Sequence, residues 1–110
     1  ALVSENKRLA VPASADSIPS SAMQEDHVSM GWSAARKLRQ SITNTQRIAA
    51  IELLTAARAL DLRTPLQPGP VTKGVRDRLR ATVAGPGPDR YLSPELEAAV
   101  LFVQSGGVLS

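Results

Sequence analysis

The sequence predicts an all-α fold with one long central helix and several shorter ones, and three observations support this prediction. Only three residues of the 110 are aromatic (Trp32, Tyr91 and Phe102), although 43% are hydrophobic. Each buried ring covers on the order of 150–250 Å², so an interior with three rings must be filled by Ala, Leu, Val and Ile, as in packed helices. An unbroken run of helix-forming residues covers 31–62, and Pro- and Gly-rich breaks follow it at 64–70 and 84–88.

Residues 1–23 are predicted to form a loop. Pro12 and Pro19 bias the residues that precede them away from helical conformations. The Ser and Asp side chains around them compete for backbone hydrogen bonds, as turn residues do. The composition alone fits a disordered tail as well as an ordered loop that lines a site.

The long central helix is predicted over residues 24–62. Ser21 and Gln24 have the spacing of a capping box that would start it. Apolar or small residues then recur every three or four positions, at Ala35, Leu38, Ile42, Thr45, Ala49, Leu53, Ala56 and Leu60. The part from 31 to 62 would be about 48 Å long, whereas a compact chain of this size has a radius of gyration of about 13 Å. We therefore expect this chain to be part of an elongated helical bundle in a larger subunit.

Two shorter helices are predicted, over residues 70–83 and 93–104. Val71, Val75 and Leu79 fall on one face of the first. The second begins with Ser93-Pro94-Glu95, which supplies an N-cap, a proline suited to the first turn and a carboxylate at the positive end of the helix dipole. Glycines at 106 and 107 end it.

Composition also excludes several classes of function. The chain has no cysteine, which excludes disulfides, thiolate catalysis and zinc ribbons, and its single histidine, His27, excludes a multi-histidine metal centre built from this chain alone. No apolar run approaches the roughly 18 residues of a membrane span, and no signal peptide is present, so we expect a cytoplasmic protein without membrane contact. The net charge is +3, but Arg76 and Arg80 are expected on a solvated helix face with no interleaved aromatics, which argues against nucleic-acid binding.

The segment 24–27 concentrates side chains that can carry protons. Gln24, Glu25, Asp26 and His27 are consecutive, and acids and bases gather in this way at functional sites. The alternative is a polar cap on a long helix, with the two carboxylates in its first turn. No nucleophile, base and orienting group can be assembled into a complete catalytic set from these neighbours.

The sequence resembles the C-terminal part of the aromatic amino-acid ammonia-lyases and aminomutases. The specific match is Gln-Glu-Asp-His-Val-Ser-Met-Gly at 24–31, at the head of a long alanine-rich helix. Further matching segments are Ser-Glu-Asn-Lys at 4–7, Pro-Ala-Ser-Ala-Asp-Ser-Ile-Pro at 12–19, Ala-Ala-Arg-Lys at 34–37 and, more weakly, Gly-Pro-Gly-Pro-Asp-Arg at 85–90.

This resemblance implies a homotetramer of helical subunits and elimination of ammonia through a methylidene-imidazolone (MIO) group. That group forms from an internal Ala-Ser-Gly triplet, which is absent here, since Ala13-Ser14-Ala15 lacks the glycine. The resemblance therefore implies that the MIO arises outside this chain, that the partners are the remaining polypeptide and the other subunits, and that the isolated segment is inactive.

The resemblance also implies which residues face the substrate. It identifies Ser21, Met23, Gln24 and Glu25 as substrate-binding, with Glu25 also catalytic. Val11 and Met23 replace polar residues usual in histidine-acting members, which favours tyrosine as substrate and 4-coumarate as product. Tyrosine 2,3-aminomutase and histidine ammonia-lyase stay open as alternatives within the family. An alternative of another class is a non-catalytic helical module that docks on a partner.

Overall fold

The described residues form four helices and one short hairpin. Our computed structural model describes residues 1–15, 19–20, 22, 25–27 and 29–109. The helices are α1 (Leu2–Leu9), α2 (Gly31–Asp61), α3 (Pro70–Arg80) and α4 (Ser93–Gln104), with a 3₁₀ turn at Ala13–Ala15. The strands β1 (Pro19–Ser20) and β2 (Glu25–His27) pair in antiparallel fashion. The predicted all-α class is confirmed, because the hairpin is the only sheet in the described residues and contributes five of them.

The chain divides into two compact units, Ala1–Thr45 and Gln46–Ser110. In the first unit, the prediction of a loop over residues 1–23 is wrong at Leu2–Leu9, which form α1. Glu5 lies in its first turn and Lys7 and Arg8 in its last turn, so the charges complement the helix dipole. Hydrogen bonds from α1 to α2, described below, stabilise it further.

The prediction that the long helix begins at residue 24 is also wrong, because α2 begins at Gly31. The carbonyl of Met30 accepts the first helical hydrogen bond, from the amide of Ala34 at 2.9 Å. The Ser29 hydroxyl accepts a hydrogen bond from the amide of Gly31 at 3.3 Å. Ser29 therefore satisfies an amide at the start of the helix that would otherwise lack a partner, a role predicted for Ser21.

The second unit has a core of small and branched apolar residues. Its buried members are Ala50, Ala57, Leu79, Val83, Ala99 and Val100. Ala50 and Ala57 are seven residues apart and so lie on one face of α2, where small side chains let other elements approach closely. Helix α4 has the predicted bounds, but the prediction of Ser93 as its N-cap is wrong, because Ser93 is the first residue of the helix and Leu92 precedes it as the N-cap. Helix α3 ends at Arg80 rather than at residue 83.

A Schellman motif ends α4. Gly106 has φ +78°, and its amide donates to the carbonyl of Val103 at 3.2 Å. The amide of Gly107 donates to the carbonyl of Phe102 at 3.0 Å. A Cβ atom at position 107 would lie 2.5 Å from the Phe102 ring, so the close approach of this ring requires glycine there.

Large apolar side chains of α2 remain exposed within this chain. Trp32 is 76% exposed and Leu38 is 62% exposed, and Ile42 is exposed as well. Leu38 and Ile42 belong to the apolar face that the sequence pattern predicts, so that face is formed but not covered by the described residues. None of the helices in the described ranges is long and apolar enough to span a membrane.

Candidate functional site

The hairpin carries the one predicted site residue whose backbone the structure describes. Glu25 begins β2 and pairs with Ser20 of β1, while His27 pairs with Pro19. This register leaves Asp26 as the extra residue of a bulge. Ala22, between the strands, has φ +56°, in the left-handed region that an alanine rarely adopts. Ser21, Met23 and Gln24 lie outside the described residues.

The extended backbone at Glu25–His27 changes the interpretation of the acidic residues Glu25 and Asp26. The carboxylates of Glu25 and Asp26 were expected in the first turn of a helix, where backbone amides would stabilise their charge. That expectation is wrong, because the helix begins at Gly31 and residues 25–27 form a strand. These residues therefore do not cap α2.

Two contacts in the first unit hold the segments on either side of the hairpin. The Lys37 ammonium on α2 donates a hydrogen bond to the carbonyl of Val11. On the other side of the hairpin, the Ser29 hydroxyl holds the amide of Gly31. The chain that carries Glu25 is therefore tied to α2 both before and after the strands.

A buried amide joins α1 to α2. Asn44 is 2% exposed, and its Nδ2 donates to Oε2 of Glu5 at 3.1 Å and to Oδ1 of Asn6 at 3.0 Å. Its Oδ1 accepts from Nε2 of Gln40 at 3.0 Å. Asn6 in turn donates to the Thr45 hydroxyl at 3.3 Å. Side-chain hydrogen bonds thus hold the Ser-Glu-Asn-Lys segment at 4–7 against α2.

The second unit contains a cleft of about 300 Å³. Its apolar lining comes from both α2 and the region around the start of α4, including Ile51, Leu54, Leu92 and Leu96. Its charged lining consists of Arg58, Arg80, Arg90 and Glu95. The cleft therefore combines an apolar wall with an excess of guanidinium groups.

Two of these arginines are held in place by carboxylates and carbonyls. Arg80 donates from Nε to Oδ2 of Asp61 at 2.8 Å and from Nη1 to the carbonyl of Ala84 at 3.0 Å. Arg90 donates from Nη2 to Oε2 of Glu95 at 3.1 Å and to the carbonyl of Gly85 at 2.9 Å. The hydrogen bonds from Arg90 lower the pKa of Glu95, and the same contact raises the pKa of Arg90.

The sequence pattern missed this cleft and misplaced two arginines of α3. Arg76 and Arg80 do share a helix face, but their side chains are only 15% and 18% exposed and face Asp61, so the expectation of a solvated surface is wrong. The Gly-Pro-Gly-Pro segment at 85–88 indicated a helix break and a weak family match, but not a cleft. Nothing in the linear sequence joins Asp61 to Arg80, nineteen residues later. Within the described ranges, no group of three or more His, Asp or Glu side chains could hold a metal ion.

Similarity to histidine ammonia-lyases extends along the whole chain. It is 65% identical to histidine ammonia-lyase of Streptomyces avermitilis over 111 aligned residues and 53% identical to that of Symbiobacterium thermophilum over 109. These alignments cover 100% and 99% of this chain but only 22% of each relative. The chain thus spans about a fifth of the length of the curated relatives that it matches.

Two solved structures, a histidine ammonia-lyase and a tyrosine aminomutase, have the same arrangement of helices as this chain. The chain superimposes on histidine ammonia-lyase from Trypanosoma cruzi with a TM-score of 0.90 at 43% identity, covering 97% of this chain and 21% of that one. It superimposes on tyrosine aminomutase from Streptomyces globisporus with a TM-score of 0.87 at 35% identity, covering 98% of this chain and 20% of that one. The family model described as aromatic amino acid lyase matches residues 1–81. With that match over most of its length, the chain belongs to the aromatic amino acid lyase family.

Proposed function

We propose that the protein containing this chain eliminates ammonia from an aromatic L-amino acid and that the substrate is histidine. The observation that carries the substrate is the 65% identity to a histidine ammonia-lyase across the whole chain. The reaction removes the amino group from the α-carbon and a proton from the β-carbon, which gives an α,β-unsaturated acid. We also propose a homotetramer, as the family resemblance implies, and a cytoplasmic location, as expected from the composition of the chain.

Tyrosine is the second candidate. Val11 and Met23 are apolar where histidine-acting members usually carry polar residues, and tyrosine aminomutase is among the structural neighbours. A more apolar pocket suits a phenol ring better than an imidazole. In that case the product is 4-coumarate for a lyase, or the β-amino acid if ammonia returns before the product leaves, as in an aminomutase.

The MIO group has to come from outside this chain. The 110 residues contain no Ala-Ser-Gly triplet from which it could form. When present, the group supplies an electrophile for the departing amine.

The proposed role of this chain is to supply the segment 21–25 to the substrate pocket. Ser21, Met23 and Gln24 would line it, and the Glu25 carboxylate would accept a hydrogen bond from an imidazole N–H or a phenol O–H. In a pocket with little water, such a charge-assisted hydrogen bond is strong and can guide proton transfer. The Lys37 and Ser29 contacts that hold both sides of this segment support a site here, because a binding site requires its residues to be positioned.

Replacing Glu25 by glutamine in a full-length protein tests this proposal. We expect kcat on L-histidine to fall by about 10²–10⁴-fold, the usual contribution of a general acid or base. The measurement follows the ultraviolet absorbance of the conjugated acid, with L-histidine and L-tyrosine as separate substrates. Size-exclusion chromatography checks that assembly is intact.

Glu52→Gln is the matched control, since it makes the same change at an exposed glutamate of α2. It should leave kcat unchanged. Undiminished turnover in Glu25→Gln would contradict the proposed role of Glu25 in the substrate pocket. Turnover of tyrosine but not of histidine would overturn the histidine assignment and leave the family reaction in place.

A further inference from the structure

We propose that the cleft of the second unit is a binding site for a small monocarboxylate with an apolar body, with Arg58 as the group that binds the carboxylate. All of its lining residues lie between positions 51 and 96. They are therefore different residues from the proposed catalytic segment 21–25. This proposal does not depend on the reaction that the whole protein performs.

The charges of the residues that line the cleft favour an anionic ligand. Three arginines line it, and the two carboxylates that meet them are Asp61 on Arg80 and Glu95 on Arg90. Within the described part of the chain, no carboxylate pairs with Arg58. The cleft thus has an excess of one positive charge, which a single carboxylate neutralises.

The hydrogen bonds identify Arg58 as the available donor. Arg80 and Arg90 already direct their N–H groups to carboxylates and to the carbonyls of Ala84 and Gly85. The Thr55 hydroxyl donates to the carbonyl of Ile51 at 2.8 Å, so its proton is also engaged. A guanidinium presents its donors as a rigid fork that matches the two oxygens of a carboxylate.

The apolar residues that line the cleft indicate that the rest of the ligand, beyond its carboxylate, is apolar. Leucine and isoleucine side chains from α2 and α4 line the cleft beside the arginines. Its volume of about 300 Å³ is at the small end of the range for ligand sites. An aryl or alkenyl carboxylate of cinnamate size fits this chemistry. A zwitterionic amino acid fits it less well, because its ammonium would add a second positive charge near the arginines.

Titration of a full-length protein with trans-cinnamate, observed by NMR at the methyl groups of Leu54 and Leu96, tests the site. We expect saturable binding that weakens as ionic strength rises. The neutral isostere cinnamamide should bind at least about tenfold more weakly, since a hydrogen bond to a charged group is lost. Equal binding of the two compounds, or no saturable binding of cinnamate, would overturn the proposal.

Arg58→Gln should abolish the preference for cinnamate over cinnamamide, whereas Arg58→Lys, which keeps the charge, should retain most of it. Arg63→Gln is the matched control, because Arg63 is exposed near the end of α2 and does not line the cleft. An equal loss in Arg58→Gln and Arg63→Gln would mean a general charge effect and would overturn the site. Circular dichroism of each variant confirms that its helices are intact.

A carboxylate side chain from another part of the polypeptide could supply the same chemistry as a free ligand. The same titration on the 110-residue chain separates the two sources. Binding of cinnamate to the full-length protein, with the stated dependence on Arg58, supports a free ligand. Binding to the 110-residue chain but not to the full-length protein would overturn the proposal in favour of an intramolecular carboxylate.

Discussion

At the scale of single residues, the buried polar residue Asn44 is held by three side-chain hydrogen bonds. Asn44 is buried, yet each of its amide atoms has a partner, on α1 or on its own helix. A buried polar group contributes to stability only while these partners remain, because an unpaired one costs its full desolvation energy. Asn44 is therefore expected to be less tolerant of substitution than the apolar residues around it.

We predict that Asn44→Ala lowers the free energy of unfolding by about 1–3 kcal/mol, the cost of leaving buried partners unsatisfied. The loss should appear in urea denaturation followed by circular dichroism. Thr43→Ala is the control, since Thr43 is exposed and donates only to the carbonyl of Arg39 on its own helix. We expect it to cost less than about 0.5 kcal/mol. Equal costs for the two variants would contradict the prediction.

At the scale of elements, local signals predicted some boundaries and missed others for physical reasons. Pro94 at the start of α4 and Gly106 after its end act within one turn, so that helix could be predicted from the sequence. Helix α1 could not, since it depends on hydrogen bonds to Asn44, 38 and 39 residues away. The predicted start of α2 was wrong because it relied on the capping-box spacing of Ser21 and Gln24, whereas the helix begins at Gly31.

The candidate sites divide in the same way. Sequence resemblance identified the segment 21–25, but the backbone of Glu25 is a strand and not a helix. The cleft could not be predicted, because its charged residues come from α2, α3 and the start of α4 and are joined only by folding. The sequence alone does not show whether a given arginine will form an ion pair with a carboxylate.

Acid should weaken two sets of ion pairs in the second unit, one between Arg90 and Glu95 at the start of α4 and one within α3. Arg90 lowers the pKa of Glu95, and hydrogen bonds from Lys73 and Arg76 lower that of Asp77. A carboxyl whose folded-state pKa is depressed stabilises the fold fully above its unfolded-state pKa, and this contribution is lost as pH falls through the folded-state value. We therefore expect the unfolding free energy to be flat near neutrality and to fall below about pH 4.5, the ordinary value for a glutamate.

Urea denaturation over the acid range measures this dependence. Glu95→Gln should make the decline shallower, and added salt should do the same, because the pair is partly exposed to solvent. Asp89→Asn is the control, since Asp89 is exposed and forms no ion pair in the described part of the chain. A profile for Glu95→Gln identical to that of the unmodified chain would contradict the assignment.

At the scale of the whole molecule, α2 has a larger apolar face than the described residues of this chain can bury. Leu38 and Ile42 stay exposed on α2, and the chain spans about a fifth of its relatives. If the proposed larger subunit is correct, other polypeptide covers this face. Single substitutions there should then act on assembly and not on the stability of this chain.

Leu38→Gln in a full-length protein is predicted to reduce the assembled fraction, as measured by light scattering, while leaving the unfolding of the 110-residue chain within about 0.5 kcal/mol of the original. Leu66→Gln is the matched control, because Leu66 is also 62% exposed but lies in the loop between α2 and α3. Unchanged assembly in Leu38→Gln would argue against a buried role for this face.

The contact between Gly107 and Phe102 has a consequence for sequence variation. The ring occupies the space that any side chain at 107 would need, so a change at one position affects the other. A relative that carries a larger residue at 107 must shift the ring at 102, carry a smaller residue there or end its last helix differently. The two positions should therefore co-vary wherever this helix end is kept.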